Sequence, residues 1–316
     1  MVEHNVQPGH KTKRIPIKTR NDIDLISVLY TISIFRSFIK WIVRLVSGTC
    51  ELQRIVAKCK PGVRTVKLEE CMYRSRHSLL RTLCEAEPDD LDASIKNVMA
   101  LKGIVDDTNP RFFDTFKCCL EQIYGFDSLY CQVENLRMEA YDSKNKNHEE
   151  VLYKLWNLLQ PDQPLESRIS HQWGDIGFQG VDPKTDFRGM GMLGLQNLVY
   201  FAEKYTDLAK QVLLHSQHPQ HGYPYAIVGI NITNMVHEFM CNGLLRSHFY
   251  NRVEGRPSLD DFQEVFCYLC YEFDKFWIKS EPENVMAFGR IREEFKKTVK
   301  VMLQLVESAV LAIDQT

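Results

Sequence analysis

The polar chemistry of this chain concentrates in residues 171–201, HQWGDIGFQGVDPKTDFRGMGMLGLQNLVYF, where charged and amide side chains stand just before a strongly apolar stretch. Arg188 lies between Phe187, an aromatic able to anchor the backbone, and Gly189, which leaves clearance on the other side. A guanidinium so placed has two uses. It can form a structural, charge-assisted pair with Asp182 or Asp186, the plainer account on residue chemistry alone. It can instead enter a phosphoryl-transfer site on a second protein and neutralise charge spread over the transferring oxygens. Gln179 is the second polar candidate, either a contact to a partner's loop or a bond to nearby backbone.

Gly174, Gly177, Gly180 and Pro183 predict a turn-rich loop whose backbone approaches its surroundings closely, and Gly189, Gly191 and Gly194 predict tight packing of the helix that follows. His171, Trp173, Phe178 and Phe201 read as loop anchors or core contacts. No Ser-His-Asp, Cys-His or paired-carboxylate pattern accompanies them, which argues against a substrate pocket of the chain's own. There is no G-x-x-x-x-G-K-[ST], so the chain does not read as the nucleotide hydrolase. The pairs Cys118-Cys119, Cys267-x-x-Cys270, His218-x-x-His221 and His237-Glu238-x-x-Cys241 are isolated, whereas a structural zinc site takes about four ligands. No metal or cofactor of the chain's own is expected. Ten cysteines in 316 residues are too sparse for a disulfide scaffold and predict mostly buried free thiols in a reducing compartment.

The elements that must position this segment are helical. Helix-period apolar patches recur and strict alternation is scarce, so the expected fold is all-α, a single compact domain. ELQRIVAKC predicts a short helix ahead of a Pro61-Gly62 break. Further helices are expected near 75–84, 89–102, 111–123 and 127–139, over VLYKLWNLL, and near 191–215, 226–248, 259–279 and 284–310. Leu152, Leu155, Trp156 and Leu159 predict one core face; Phe262, Phe266, Leu269, Phe273, Phe276 and Trp277 predict another. Ser258 ahead of Asp260 and Asp261 is placed to cap the helix that begins there, and Glu281-Pro282-Glu283 to end it. The chain divides into a polar basic tail (1–22), an amphipathic helix (23–47), an N-terminal part of the body (48–143) and a region holding the polar loop (144–312).

Net charge is −2, but residues 1–60 carry 11 Lys/Arg against 4 Asp/Glu, a local +7 that leaves −9 on the remaining 256. A mildly acidic body has no footprint for a nucleic-acid backbone, whereas the basic N-terminal end suits anionic lipid. In the 23–47 helix Arg36, Lys40 and Arg44 share one face opposite Phe35, Phe38, Ile39 and Ile42, with Trp41 near the polar side. This is an interfacial pattern, with packing against the body as the alternative. The three cations make a spanning helix less natural, because Leu25 to Phe35 is too short for a hydrocarbon layer of about 30 Å.

The run W-x-x-x-GFQ-x-x-x-P-x-x-DFRG-x-G-x-x-x-L over 173–195 resembles the signature of the ELMO domain. The likeness extends through CELQRI (50–55), YDSKN and HEE (141–150), LESRIS (165–170), YAIVGINIT (225–233) and CYLCYEFDKFWI (267–278), most of the chain beyond residue 45. The short length is similar to the ELMO domain-containing proteins rather than the larger engulfment-and-motility adaptors. The resemblance implies a helical fold and activation of GTP hydrolysis on Arf and Arf-like small GTPases, with Arg188 as the catalytic arginine and GTP and magnesium held by the partner. The adaptors characteristically lack this arginine, which is present here. It also implies a cytoplasmic protein, peripheral at endoplasmic reticulum, lipid-droplet or mitochondrial membranes. A non-catalytic effector or scaffold that binds an Arf-like GTPase at a membrane is the competing expectation.

Overall fold

The computed structural model describes residues 38, 41–105, 110–305 and 310–313. Among them no strand occurs, and the architecture is all-α as expected. Between residue 50 and the polar loop the described helices are α1 (Glu51–Lys58), α2 (Pro61–Tyr73), α3 (Ser78–Glu85), α4 (Leu91–Lys102), α5 (Phe112–Met138) and α6 (Lys146–Leu159). Two short 3₁₀ segments follow, His171–Ile176 and Pro183–Arg188. The remainder is α7 (Gly191–Lys204), α8 (Thr206–Ser216), α9 (Tyr225–Cys241), α10 (Arg246–Arg252), α11 (Leu259–Lys279) and α12 (Phe288–Gln304).

α7 is the hub. Met192, Leu193, Leu195, Leu198, Phe201 and Ala202 are all buried on it, and α5, α6, α8, α9 and α11 pack around it. A helix apolar on nearly all sides can exist in water only where others surround it. α11 buries Phe262, Phe266, Leu269, Phe273 and Trp277 as the stripe predicted, while Phe276 is only half-buried. The Ser258 hydroxyl accepts from the Asp261 amide and the Asp261 carboxylate accepts from the Ser258 amide, a reciprocal cap that satisfies two donors. Leu152, Leu155, Trp156 and Leu159 line the core on α6.

Polar groups buried between helices are paired across long sequence distances. Thr65 on α2 donates to Gln122 Oε1 on α5 at 2.6 Å, and the Gln122 amide donates to the Val253 carbonyl at 2.6 Å. Arg246 on α10 pairs with Glu69 on α2 while lying over the Phe126 ring at 4.9 Å. All ten cysteines are free thiols, six of them buried; burial pushes the Cys119 thiol up to about 11.

Several element boundaries differ from the sequence reading. Pro61 opens α2 rather than breaking the chain, because proline at the first helical position gives up an amide that has no helical acceptor there. The patches at 111–123 and 127–139 are one helix, α5, continuous through Gly125. The stretch expected at 191–215 divides at Tyr205 into α7 and α8, and the one at 226–248 divides at Gly243, whose φ is +71°. Within the stretch expected at 284–310, Val285–Ala287 form a 3₁₀ turn and Phe288–Gln304 form α12. Of the N-terminal helix, residues 41–47 are helical; Phe35, Arg36 and Lys40 lie outside the described residues.

Candidate functional site

Local chemistry explains why the polar loop holds two 3₁₀ turns. Ser170 caps the first, accepting from the Gln172 amide at 3.2 Å. Gly177 ends it in the left-handed region at φ +80°, and a Cβ there would meet the Tyr225 amide nitrogen at 2.2 Å. Only glycine fits both the conformation and this approach to the start of α9. The second turn begins with Asp182, which accepts from the Lys184 amide at 2.9 Å, and Pro183 takes the first helical position.

Beneath the two turns runs a chain of buried rings. Trp156 meets Trp173 at 5.5 Å, Trp173 meets Phe178 at 5.8 Å, and Phe178 meets Phe187 at 5.5 Å, all edge-on. Phe187 then packs on Tyr141 at 5.5 Å. Contacts of this kind add about 0.5–1.5 kcal/mol each beyond area burial. The indole nitrogens are satisfied as well: Trp173 donates to the Arg168 carbonyl at 2.9 Å and Trp156 to the Gln163 carbonyl at 2.7 Å. Trp173, Phe178 and Phe201 are core anchors as expected, whereas His171 is exposed.

Arg188 closes the second turn directly after Phe187, which is 1% exposed. The backbone is therefore pinned from below while the Arg188 side chain is exposed; among the described residues its guanidinium enters no hydrogen bond or ion pair. Neither expected carboxylate binds it. Asp182 accepts from Arg168 Nη1 at 2.7 Å, and Asp186 accepts from the Gln179 amide at 2.7 Å, so only a through-space attraction links Asp186 to Arg188. The two acids diverge in consequence. Burial raises Asp186 above the usual carboxylate range despite the Gln179 amide. Burial also works against ionised Asp182, but the Lys184 amide and Arg168 outweigh it and hold its pKa low.

Gln179 is held at its backbone and its side chain faces solvent. Gly189 is exposed, and a Cβ there would meet nothing within 4 Å. It therefore does not serve helix packing, contrary to the sequence reading. Gly191 does: at φ +50° its Cβ position is 2.4 Å from the Glu139 carbonyl oxygen at the end of α5. The Met192 amide donates to that same carbonyl at 2.9 Å. Gly174 and Gly180 likewise face open space.

Spacing gave no sign of the Arg168 cluster. Arg168 Nε donates to Glu149 of α6 at 2.9 Å, its Nη1 reaches Asp182, and the guanidinium lies over the Tyr141 ring at 5.7 Å. The Tyr141 hydroxyl donates to the same Glu149. Burial opposes charge on Arg168, but the two carboxylates more than offset it and raise its pKa further above the ordinary arginine range. These partners lie 19 and 14 residues away in sequence.

Other polar clusters lack the parts of a reaction centre. His215 Nδ1 meets the buried Asp274 at 2.7 Å, and the Tyr223 hydroxyl donates to the same Asp274, but no nucleophile bonds to the imidazole among the described residues. No group of three or more His, Cys, Asp or Glu among those residues is arranged to hold a metal ion. Of the lipid-facing candidates, Phe38 and Trp41 are 55% and 57% exposed and stack at 6.1 Å, and Arg44 donates to the Lys102 carbonyl at 3.4 Å. No helix among the described residues is long and apolar enough to cross a membrane.

Residues 131–292, which contain α6, both 3₁₀ turns, the Arg168 cluster and α7, match the ELMO/CED-12 family. ELMO domain-containing protein 2 from Mus musculus is 47% identical over 269 residues, covering 85% of this chain and 92% of that protein. ELMO domain-containing protein 1 from Pongo abelii is also 47% identical, over 284 residues, covering 84% and 87%. ELMO domain-containing protein B from Dictyostelium discoideum is 32% identical over 274 residues, covering 85% and 95%. With this identity sustained along nearly the whole of each relative, the chain belongs to the ELMO domain family.

Proposed function

We propose that this protein activates GTP hydrolysis on an Arf or Arf-like small GTPase by supplying Arg188 in trans. The observation that carries the reading is the exposed Arg188 guanidinium, which makes no hydrogen bond or ion pair among the described residues, on a backbone pinned through buried Phe187. A structural arginine is held by its acids; here Asp182 and Asp186 are both engaged elsewhere.

In the partner's site the guanidinium stabilises charge that builds on the transferring phosphoryl oxygens, with GTP and magnesium held by the GTPase. The role asked of the guanidinium is electrostatic, and no proton transfer is asked of it. Gln179, with its side chain in solvent, is placed to contact the partner, and Gly189 lets a second backbone approach beside Arg188. The exposed aromatic residues of the N-terminal helix and the +7 charge of residues 1–60 support docking on an anionic membrane, where lipid-anchored partners would be met.

The test is single-turnover GTP hydrolysis across a panel of Arf-family proteins with wild type, Arg188→Ala and Arg188→Lys. Both variants are expected to keep wild-type melting and partner binding while losing stimulation by about 10³ to 10⁵. Binding of GTP-loaded partners with no stimulation by wild type on any of them overturns the reading in favour of an effector or scaffold.

A further inference from the structure

Arg168 grips one end of the 3₁₀ turn that carries Arg188 directly and reaches the other end through Tyr141. At the start of the turn, Asp182 Oδ1 receives Arg168 Nη1 at 2.7 Å and the Lys184 amide at 2.9 Å, so the oxygen that caps the turn is also the one the arginine grips. At the far end, the Arg168 guanidinium covers Tyr141, whose ring packs on Phe187, the residue before Arg188. The third anchor is Glu149 on α6, which accepts from Arg168 Nε at 2.9 Å and from the Tyr141 hydroxyl.

We infer that Arg168 is a positioning residue for Arg188, fixing the turn against α6 so that the Arg188 guanidinium is presented in one place rather than over a range. The inference rests on the catalytic reading of Arg188. A planar fork is required for this task. Arg168 serves two carboxylates from different edges while its face lies on an aromatic ring, and a lysine ammonium, a single point charge, keeps the charge but not the three directions together. The Arg168 side chain is 18% exposed and Glu149 19%, so the bond between them is partly shielded from water, while Asp182 at 33% is less so. The segments YDSKN, HEE and LESRIS, scattered through the sequence, contribute Tyr141, Glu149 and Arg168 to this single device.

The experiment uses the full chain and a GTPase that responds to wild type, and measures kcat and KM for stimulated hydrolysis with Arg168→Lys, Asp182→Asn and Arg168→Lys/Arg188→Ala. The expected result for Arg168→Lys is a fall in kcat of about 10- to 100-fold with KM within about twofold, as displacement of a reacting group predicts. Asp182→Asn, which keeps a capping oxygen, should fall in the same direction by less, and it carries the test should Arg168→Lys not fold. In the Arg188→Ala background, Arg168→Lys should leave the residual stimulation unchanged, since there is no guanidinium left to place. A folded Arg168→Lys or Asp182→Asn protein with wild-type kcat, or a loss equally large with and without Arg188, overturns the positioning role alone. Absence of stimulation by wild type defeats the catalytic reading and this inference together.

Discussion

Arg188 shows how residue spacing leaves a choice that only tertiary structure makes. Asp182 and Asp186 stand six and two residues before it, close enough for either to pair, and nothing in the local sequence says they are engaged. Asp182 is taken by Arg168, 14 residues away, and Asp186 by the Gln179 amide, seven away. The glycines that follow Arg188 present the same problem: Gly189 and Gly191 look equivalent in sequence, yet one faces solvent and the other touches backbone. They should separate cleanly on substitution. Gly189 has φ −86° and free space, so Gly189→Ala should leave stability within about 0.5 kcal/mol of wild type. On the proposed role of Arg188 it should nevertheless lower stimulated hydrolysis on the order of tenfold, because a methyl there would stand against an approaching partner. Gly191→Ala combines φ +50° with two carbonyl oxygens within 2.5 Å and should lose about 3 kcal/mol in thermal or urea denaturation. Wild-type hydrolysis by Gly189→Ala would place the partner's contact elsewhere.

At the scale of elements, the helices with a strong apolar stripe and a side-chain cap were legible in the sequence. The α11 stripe and its Ser258 cap, and the Trp156 face of α6, needed no tertiary information. Glycine and proline misled where they serve packing or a helix start instead of a break. At Gly125 a Cβ would stand 2.7 Å from Arg256 Cα, so the glycine admits a crossing chain while α5 runs on. The divisions at Tyr205 and Gly243 interrupt apolar stretches that read as continuous, and at the second the Gly243 stop was present in the sequence. The N-terminal helix gives a prediction at this scale. Residues 41–48 are all exposed, with Trp41, Leu45 and Val46 prominent among them. A helix whose apolar side chains are exposed among the described residues gains by entering a lipid interface, and the neighbouring basic residues select anionic headgroups. Co-sedimentation should therefore show binding to vesicles containing phosphatidylserine, weaker binding to neutral vesicles, and a decline with added salt. Phe38→Ser/Trp41→Ser should reduce partitioning by at least about tenfold without altering the melting temperature, since each ring removed is worth about 1.5–3 kcal/mol when buried. Equal sedimentation of the variant and wild type would assign lipid contact to another part of the chain.

The C-terminal segment is tied to the body at one buried imidazole, whose protonation contributes to the loss of stability in acid. His248 on α10 is fully buried, and its Nδ1 accepts from the Leu311 amide at 2.9 Å, tying the C-terminal segment to the body beside the Ser247 contact to the Leu303 carbonyl. An accepting Nδ1 puts the single proton of the neutral ring on Nε2, which has no hydrogen-bond partner among the described residues. A second proton would abolish the bond to Leu311 and place an uncompensated charge in the core. Burial, reinforced by nearby Arg252 and only partly opposed by Asp261, accordingly lowers the pKa of His248 to about 4. In the unfolded chain the group takes up its proton near pH 6.5. Between those values the unfolded state binds a proton that the folded state refuses, so stability is full above about 6.5 and falls as the pH drops toward 4. From pH 7 to pH 5 the loss attributable to this group is about 2 kcal/mol, a drop large enough to read in urea midpoints. His248→Gln, which retains an acceptor for Leu311 without a titrating ring, should be somewhat less stable than wild type at pH 7 but markedly flatter between 7 and 5. If the two proteins lose stability in parallel over that range, the acid sensitivity belongs to other groups, and closure of the C-terminal segment does not depend on the charge state of His248.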